Sequence, residues 1–119
     1  GSDTLLYRLV FNLVENAIHY SRPGSTVNVS ICDNDSHVFL RVEDQGPGIP
    51  KQYRESIFQP FFRLDKSRSR AYGGAGLGLA LVWEIAALHG GAVEVEASSE
   101  SGTTMLVSLP KRSVALTEQ

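Results

Sequence analysis

The sequence predicts an α+β fold, a two-layer α/β sandwich with helices packed on one face of a mixed or antiparallel sheet. Three observations carry that prediction. Two segments, residues 3–20 and 77–89, repeat their apolar residues at helical spacing. Two pairs of shorter segments alternate apolar with polar residues, as half-buried strands do. The order is helix, two strands, a long connection, helix, two strands, without internal repeats, and 119 residues make one domain.

Asp3 can cap the first helix. At ~100° per residue, Leu6, Leu9, Val10, Leu13, Val14 and Ala17 fall in a sector about 140° wide. Asn12, Glu15, Asn16 and His19 share a different sector, about 100° wide, so one face is built for a core and another carries amides and a carboxylate. Ser21-Arg22-Pro23-Gly24-Ser25 ends the helix. Val27, Val29 and Ile31, then Val38, Leu40 and Val42, predict a hairpin with one face on the core, turning at Asp33-Asn34-Asp35. Its second strand runs straight into Asp44-Gln45-Gly46-Pro47-Gly48.

Residues 50–74 hold a short helical piece from Gln52 to Phe58, the aromatic cluster Phe58, Phe61 and Phe62, and the polar run Arg63 to Arg70. A connection this long inside a compact domain reads as a functional lid. Gly73-Gly74-Ala75-Gly76-Leu77-Gly78 opens the second helix. Leu79, Leu81, Val82, Ile85, Ala86 and Leu88 predict that this helix is well buried, and His89-Gly90-Gly91 ends it. A last hairpin joins residues 92–97 to 103–109 through Ser98 to Gly102.

Composition narrows the function classes. The apolar share of 42% and charged share of 20% are those of a soluble globular domain, and a net charge of −2 gives no basic surface for nucleic acid. No apolar run approaches the roughly 20 residues that span a bilayer. Cys32, the single cysteine, cannot close an internal disulfide, and with three scattered histidines the common zinc spacings are absent. A reducing, cytoplasmic setting is expected. Gly1-Ser2 reads as the scar of tag removal, and the chain starts directly inside a helical pattern and ends in a polar tail, residues 111–119, expected to be flexible, which suggests a piece of a longer protein.

Glycines at a helix start suit anions, because bare backbone approaches closely and the helix N-terminus adds partial positive charge. The common nucleotide folds nevertheless fail. No glycine is followed by lysine, so there is no P-loop. Gly74, Gly76 and Gly78 have the wrong spacing for a dinucleotide fingerprint and follow a charged segment rather than a strand. The protein-kinase H-R-D and D-F-G motifs are missing.

What remains is an ordered set: amides and a carboxylate on one helix, a strand ending in aspartate before Gly-x-Gly, a basic connection, and a second glycine cluster at a helix start. In this order the chain, from about Leu5 to Pro110, resembles the catalytic ATP-binding domain of histidine kinases, within the wider gyrase, heat-shock-chaperone, histidine-kinase and MutL superfamily. The resemblance implies a Bergerat-type ATP-binding fold over residues 3–110 and Mg²⁺-ATP as cofactor. It implies that Asn16 ligates Mg²⁺ between the phosphates, joined by Asn12, and that Glu15 acts as a general base or polarises the attacking group. His19 stands where the family usually has Lys or Arg on phosphate, and Tyr20 matches a position lining the nucleotide. Asp44 matches the aspartate that accepts a hydrogen bond from the adenine amino group, with Gly46, Gly48 and Ile49 close to the base. Phe58, with Phe61 and Phe62, matches the aromatic box that anchors the lid. Arg63 is a candidate phosphate contact, as are Lys66, Arg68 and Arg70, and Gly74, Gly76, Leu77 and Gly78 match the second glycine box around the phosphates. Ala75 stands where hydroxyl residues are frequent.

The resemblance further implies transfer of the γ-phosphoryl group to a histidine on a separate dimerisation domain, with a response regulator downstream and an inner-membrane sensor as the intact protein. None of the three histidines here sits in the setting of that acceptor. Related ATPases of the superfamily usually follow Glu-Asn with Asp-Ala on the first helix. Here Glu15-Asn16 continues as Ala17-Ile18-His19-Tyr20, and the Asn-x-x-x-Asn pattern and the aromatic box favour the kinase. An ATP-hydrolysing machine, a serine-phosphorylating anti-sigma factor and a non-catalytic nucleotide sensor remain as alternatives.

Overall fold

A computed structural model of the chain describes residues 2–60 and 78–111. In chain order these form α1 (Ser2–Tyr20), β1 (Asn28–Asp33), β2 (His37–Asp44), two single 3₁₀ turns (Lys51–Tyr53 and Ser56–Phe58), α2 (Gly78–Leu88), β3 (Ala92–Ser99) and β4 (Gly102–Pro110). The four strands make one sheet in the order β1-β2-β4-β3, and every neighbouring pair is antiparallel. The predicted two-layer sandwich is therefore present, with the sheet wholly antiparallel.

The helices pack against each other and against one sheet face. Leu9, Leu13 and Ala17 of α1 meet Val82, Ile85 and Ala86 of α2 above Leu40 and Val42 of β2 and Met105, Val107 and Leu109 of β4. The alternation read along β2 and β4 thus puts one side of each central strand in the core. Ile57 and Phe58 close the core from the 3₁₀ turns, and the Phe58 ring lies 5.4 Å from that of Trp83 on α2.

Several expectations need correction. Asp3 lies inside the first turn of α1 instead of capping it, where its charge complements the helix N-terminus. Val10 is partly exposed, at the rim of the predicted stripe. The 33–35 turn moves on by one residue. Asp33 pairs with Val38 inside the hairpin, and the Asn34 side chain accepts the Ser36 and His37 N–H groups. The piece around Gln52 to Phe58 forms two separate 3₁₀ turns, not a helix.

The largest difference concerns β1. Val29 and Ile31 were expected on the core, yet they are 47% and 70% exposed. They stand opposite Val42 and Leu40, on the helix-bearing face, but β1 is the edge strand and lies beyond what the helices cover. On α2, Leu88 is likewise exposed. The end of α2 follows the expectation: Gly91 N–H donates to Ala86 O and Gly90 N–H to Ala87 O, a Schellman closure. The last hairpin turns more tightly than expected, at Glu100-Ser101, and carries a bulge at Glu96 that lets this carboxylate take Arg41 of β2 in a two-pronged pair.

Candidate functional site

The site begins where β2 ends. Asp44 is the last residue of that strand and is buried, directly opposite Thr103 at the start of β4. Its Oδ1 accepts two backbone hydrogen bonds, from Gly46 N–H at 3.0 Å and Thr103 N–H at 3.2 Å. Its Oδ2 makes no hydrogen bond among the described residues. One oxygen therefore fixes the carboxylate while the other is left as an acceptor. Burial pushes the Asp44 pKa above the ordinary 3.8; the Gly46 and Thr103 N–H groups oppose that rise and neighbouring Glu43 adds to it.

Glycines follow Asp44 because the turn touches two other segments. A Cβ on Gly46 would collide with the Tyr20 carbonyl at the end of α1. Gly48 has φ +85° and would collide with Ser99 O of β3. The turn is pressed between helix and hairpin, and several of its polar groups are tied there. Ile49 N–H donates to Ser98 Oγ at 2.8 Å, and Ser98 Oγ shares a 2.8 Å hydrogen bond with Thr103 Oγ1. Gln45 N–H donates to Ser21 Oγ, and Gln45 Oε1 accepts Thr26 N–H.

The polar face of α1 leads away from this turn. Tyr20 and His19 are half-buried and line a cleft of about 620 Å³ with Ile18, Arg22, Val27 and Pro47 among its walls. Asn16 is half-buried and Glu15 exposed; neither has a hydrogen-bond partner among the described residues. Asn12 Nδ2 donates to Arg8 O, one turn back on its own helix, at 2.7 Å. Asn12 Oδ1 lies 3.3 Å from where a Cβ on Gly78 would stand, so α1 meets the start of α2 at this point. The fold thus gathers Asn12 and Gly78 near the middle of α1, with Asn16 one turn further on, and Tyr20, Asp44, Gly46, Gly48 and Ile49 at its C-terminal end. Phe58 belongs to the core. Arg63, Gly74, Gly76 and Leu77, with Phe61, Phe62, Lys66, Arg68 and Arg70, lie outside the described residues.

Four contributors were not found by sequence reading: Thr103, Ser98, Arg22, which donates to the Gln45 and Glu100 carbonyls, and Arg54, which donates to the Ile49 and Ser98 carbonyls. Thr103 holds the carboxylate through its backbone, so its side-chain type gave no signal. The Ser98 hydroxyl became visible only through strand register. Among the described residues no three of His, Cys, Asp and Glu converge as a metal cage, and no helix is long and apolar enough to cross a membrane. Chemically, this arrangement can accept a hydrogen bond from a flat ligand at Oδ2 and offer amide oxygens and a helix start about 12 Å further along α1.

Comparison with known proteins fits this geometry. The family model described as histidine kinase-, DNA gyrase B- and HSP90-like ATPase matches residues 1–113. The chain is 42% identical over 111 residues to the sensor-like histidine kinase SenX3 of Mycolicibacterium smegmatis, covering 93% of this chain and 29% of that protein. It spans less than a third of the length of such curated relatives. Among solved structures, the mycobacterial sensor histidine kinase MprB superposes with TM-score 0.79 at 39% identity, covering 92% of this chain and 72% of that one. Full-length ShkA, solved in complex with AMPPNP, superposes with TM-score 0.77 at 31% identity, covering 89% of this chain and 21% of that one.

Proposed function

The chain belongs to the histidine kinase-, DNA gyrase B- and HSP90-like ATPase family, and from that premise we propose that residues 3–110 are the Mg²⁺-ATP-binding catalytic domain of a two-component sensor histidine kinase. In this reading the domain presents the γ-phosphoryl group of ATP to a histidine on a separate dimerisation and phosphoacceptor domain. A response regulator takes the group next, and the domain works on the cytoplasmic side of a membrane-anchored sensor.

The observation that carries the reading is the divided role of Asp44. A buried carboxylate with one oxygen locked by two N–H groups and the other left as an acceptor suits the exocyclic amino group of adenine. A base that offers a carbonyl there would leave two acceptors facing each other. Gly46, Gly48 and Ile49 let the base lie against the turn, and Tyr20 flanks it. The nucleotide then runs along the polar face of α1 toward the start of α2.

The residues at that far end fit magnesium carried on phosphate. Asn12 and Asn16 offer hard amide oxygens, too few to bind the ion alone, as expected where phosphates and water complete its shell. When bound, Mg²⁺ supplies charge neutralisation between the phosphates. Asn16 would hold it, Asn12 would join the phosphate shell, and the backbone at Gly78 offers N–H groups at a helix start. His19 donates to phosphate where the family usually has Lys or Arg, and Glu15 serves as general base or polariser at the exposed rim. Arg63, Gly74, Gly76 and Leu77 complete the phosphate contacts in this reading, with Phe58 anchoring the connection that bears them. ShkA, of similar fold, was solved with an ATP analogue, which supports the ligand class.

The test is titration calorimetry with ATP, ADP and GTP, with and without Mg²⁺, followed by phosphoryl transfer to the dimerisation domain supplied in trans. Tight ATP, weak GTP, no self-labelling and labelling of the supplied histidine are expected. Equal affinity for GTP overturns the role of Asp44. ATP binding without transfer to the supplied acceptor reduces the domain to a nucleotide sensor.

A further inference from the structure

We propose that Arg22 and Arg54, which belong to no recognised motif of the chain, are positioning residues that set its choice of base. The proposal rests on the adenine reading of Asp44 given above.

The two side chains do the same thing at opposite ends of the turn. Arg22, just past α1, donates from Nη1 to Gln45 O at 2.9 Å and from Nη2 to Glu100 O at 2.7 Å. Arg54, between the 3₁₀ turns, donates from Nε to Ile49 O at 3.2 Å and from Nη2 to Ser98 O at 3.2 Å. Each guanidinium takes one carbonyl of the 44–49 turn and one carbonyl of the β3–β4 hairpin. Between the two clamps, Gly48 rests against Ser99 and Ile49 N–H reaches Ser98 Oγ.

Position matters here because the turn has left the sheet. Strand pairing between β2 and β4 stops at Asp44 and Thr103, so no ladder fixes residues 45–49 against the hairpin. The hairpin nevertheless supplies Thr103 N–H, one of the two donors that orient Asp44, and Ser98 Oγ links that threonine to Ile49. A shift of the turn along the hairpin would rotate the second carboxylate oxygen and let in a base with a different edge. A planar, charged fork spanning two carbonyls resists such a shift. A lysine ammonium, a single point of charge, cannot hold both carbonyls in one plane. Both guanidinium groups are engaged by backbone carbonyls. Both act through Asp44.

The readout is therefore the ratio of GTP to ATP dissociation constants, measured by competitive titration calorimetry with Mg²⁺ on the 119-residue chain. Variants are Arg22→Ala, Arg22→Lys, Arg54→Ala and Arg54→Lys, with thermal melts to establish that each is folded at the titration temperature. We expect each alanine variant to lose about tenfold in ATP affinity, from the loss of charged hydrogen bonds, with little change for GTP, so the ratio falls by about tenfold. The lysine variants stay folded and still fall by several-fold. Asn16→Ala, the control, weakens ATP and GTP alike and keeps the ratio. Arginine variants that melt earlier but keep the wild-type ratio overturn the proposal and leave the adenine reading standing. A wild-type ratio near one overturns both.

Discussion

The two ends of the α1 polar face are built on different plans. At the Tyr20 end, the Asp44 turn is tied on every side: two N–H groups on one carboxylate oxygen, a hydroxyl relay through Ser98 and Thr103, and two arginine clamps. At the Asn12 end the side chains are half-buried or exposed, and Asn12 is occupied with its own helix. In the proposed reading, the base-reading end is preorganised by the fold, whereas the phosphate end would complete its contacts when the ligand arrives. Selectivity belongs where groups cannot move, because a misplaced acceptor discriminates nothing. Phosphate and metal are held by charge and by ligands that exchange with water, so looser side chains suffice there.

The sharpest way to break this contrast is Gly102→Ala. Gly102 has φ +150°, and a Cβ there would run into the Asp44 carbonyl. A loss of about 3 kcal/mol in urea unfolding is expected, together with loss of nucleotide binding. A silent Gly102→Ala would mean that the tied end is far softer than its packing implies. Next comes Asp44→Asn, which keeps one oxygen for the two N–H groups but turns an amide toward the base. ATP affinity should drop about 100-fold with the fold intact.

A smaller effect separates stability from affinity at the same residue. The folded pKa of Asp44 is raised above 3.8, chiefly by burial. The native state therefore keeps this proton to higher pH than the unfolded chain does. The stability from this group is complete below 3.8 and is lost as pH rises through the folded value. Binding through the ionised oxygen runs the other way and weakens as pH falls through that value. Relative to Asp44→Asn, the wild type should become less stable in urea melts as pH is raised from about 4 to about 7, while its ATP affinity rises. Parallel movement of the two quantities would break the assignment. The smallest effect belongs to the loose end. Asn16→Ala should change stability by no more than about 0.5 kcal/mol while abolishing the Mg²⁺ dependence of ATP binding.

The sequence made the tied end legible only in part. Asp44, Gly46 and Gly48 stood out because a strand ran into a glycine turn, and local spacing shows that. Thr103, Ser98, Arg22 and Arg54 did not, since their partners lie many positions away and are backbone atoms that any residue type supplies. The polar sector of α1 was legible because helical periodicity sorts residues onto faces without knowledge of the rest of the chain. For β1, alternation was read correctly as a strand, but alternation cannot say whether a helix lies over it. Val29 and Ile31 were therefore assigned to a core that stops at β2. The antiparallel order β1-β2-β4-β3 also went unread beyond its class, because pairing β2 with β4 depends on closing the chain across the second helix.

That closure has a consequence in time as well as in space. The bond from Thr103 N–H to Asp44 joins residues 59 apart, and the one from Arg22 to Glu100 joins residues 78 apart. Neither hairpin nor either helix can rehearse this site alone. It comes into being only after a loop of some sixty residues has been closed, an entropic step that makes non-local pairing slow. A nucleotide added during refolding thus meets no competent site until the β2–β4 pairing is complete. It should leave the folding rate unchanged and slow unfolding instead, acting as a latch on a finished molecule rather than a template for an emerging one.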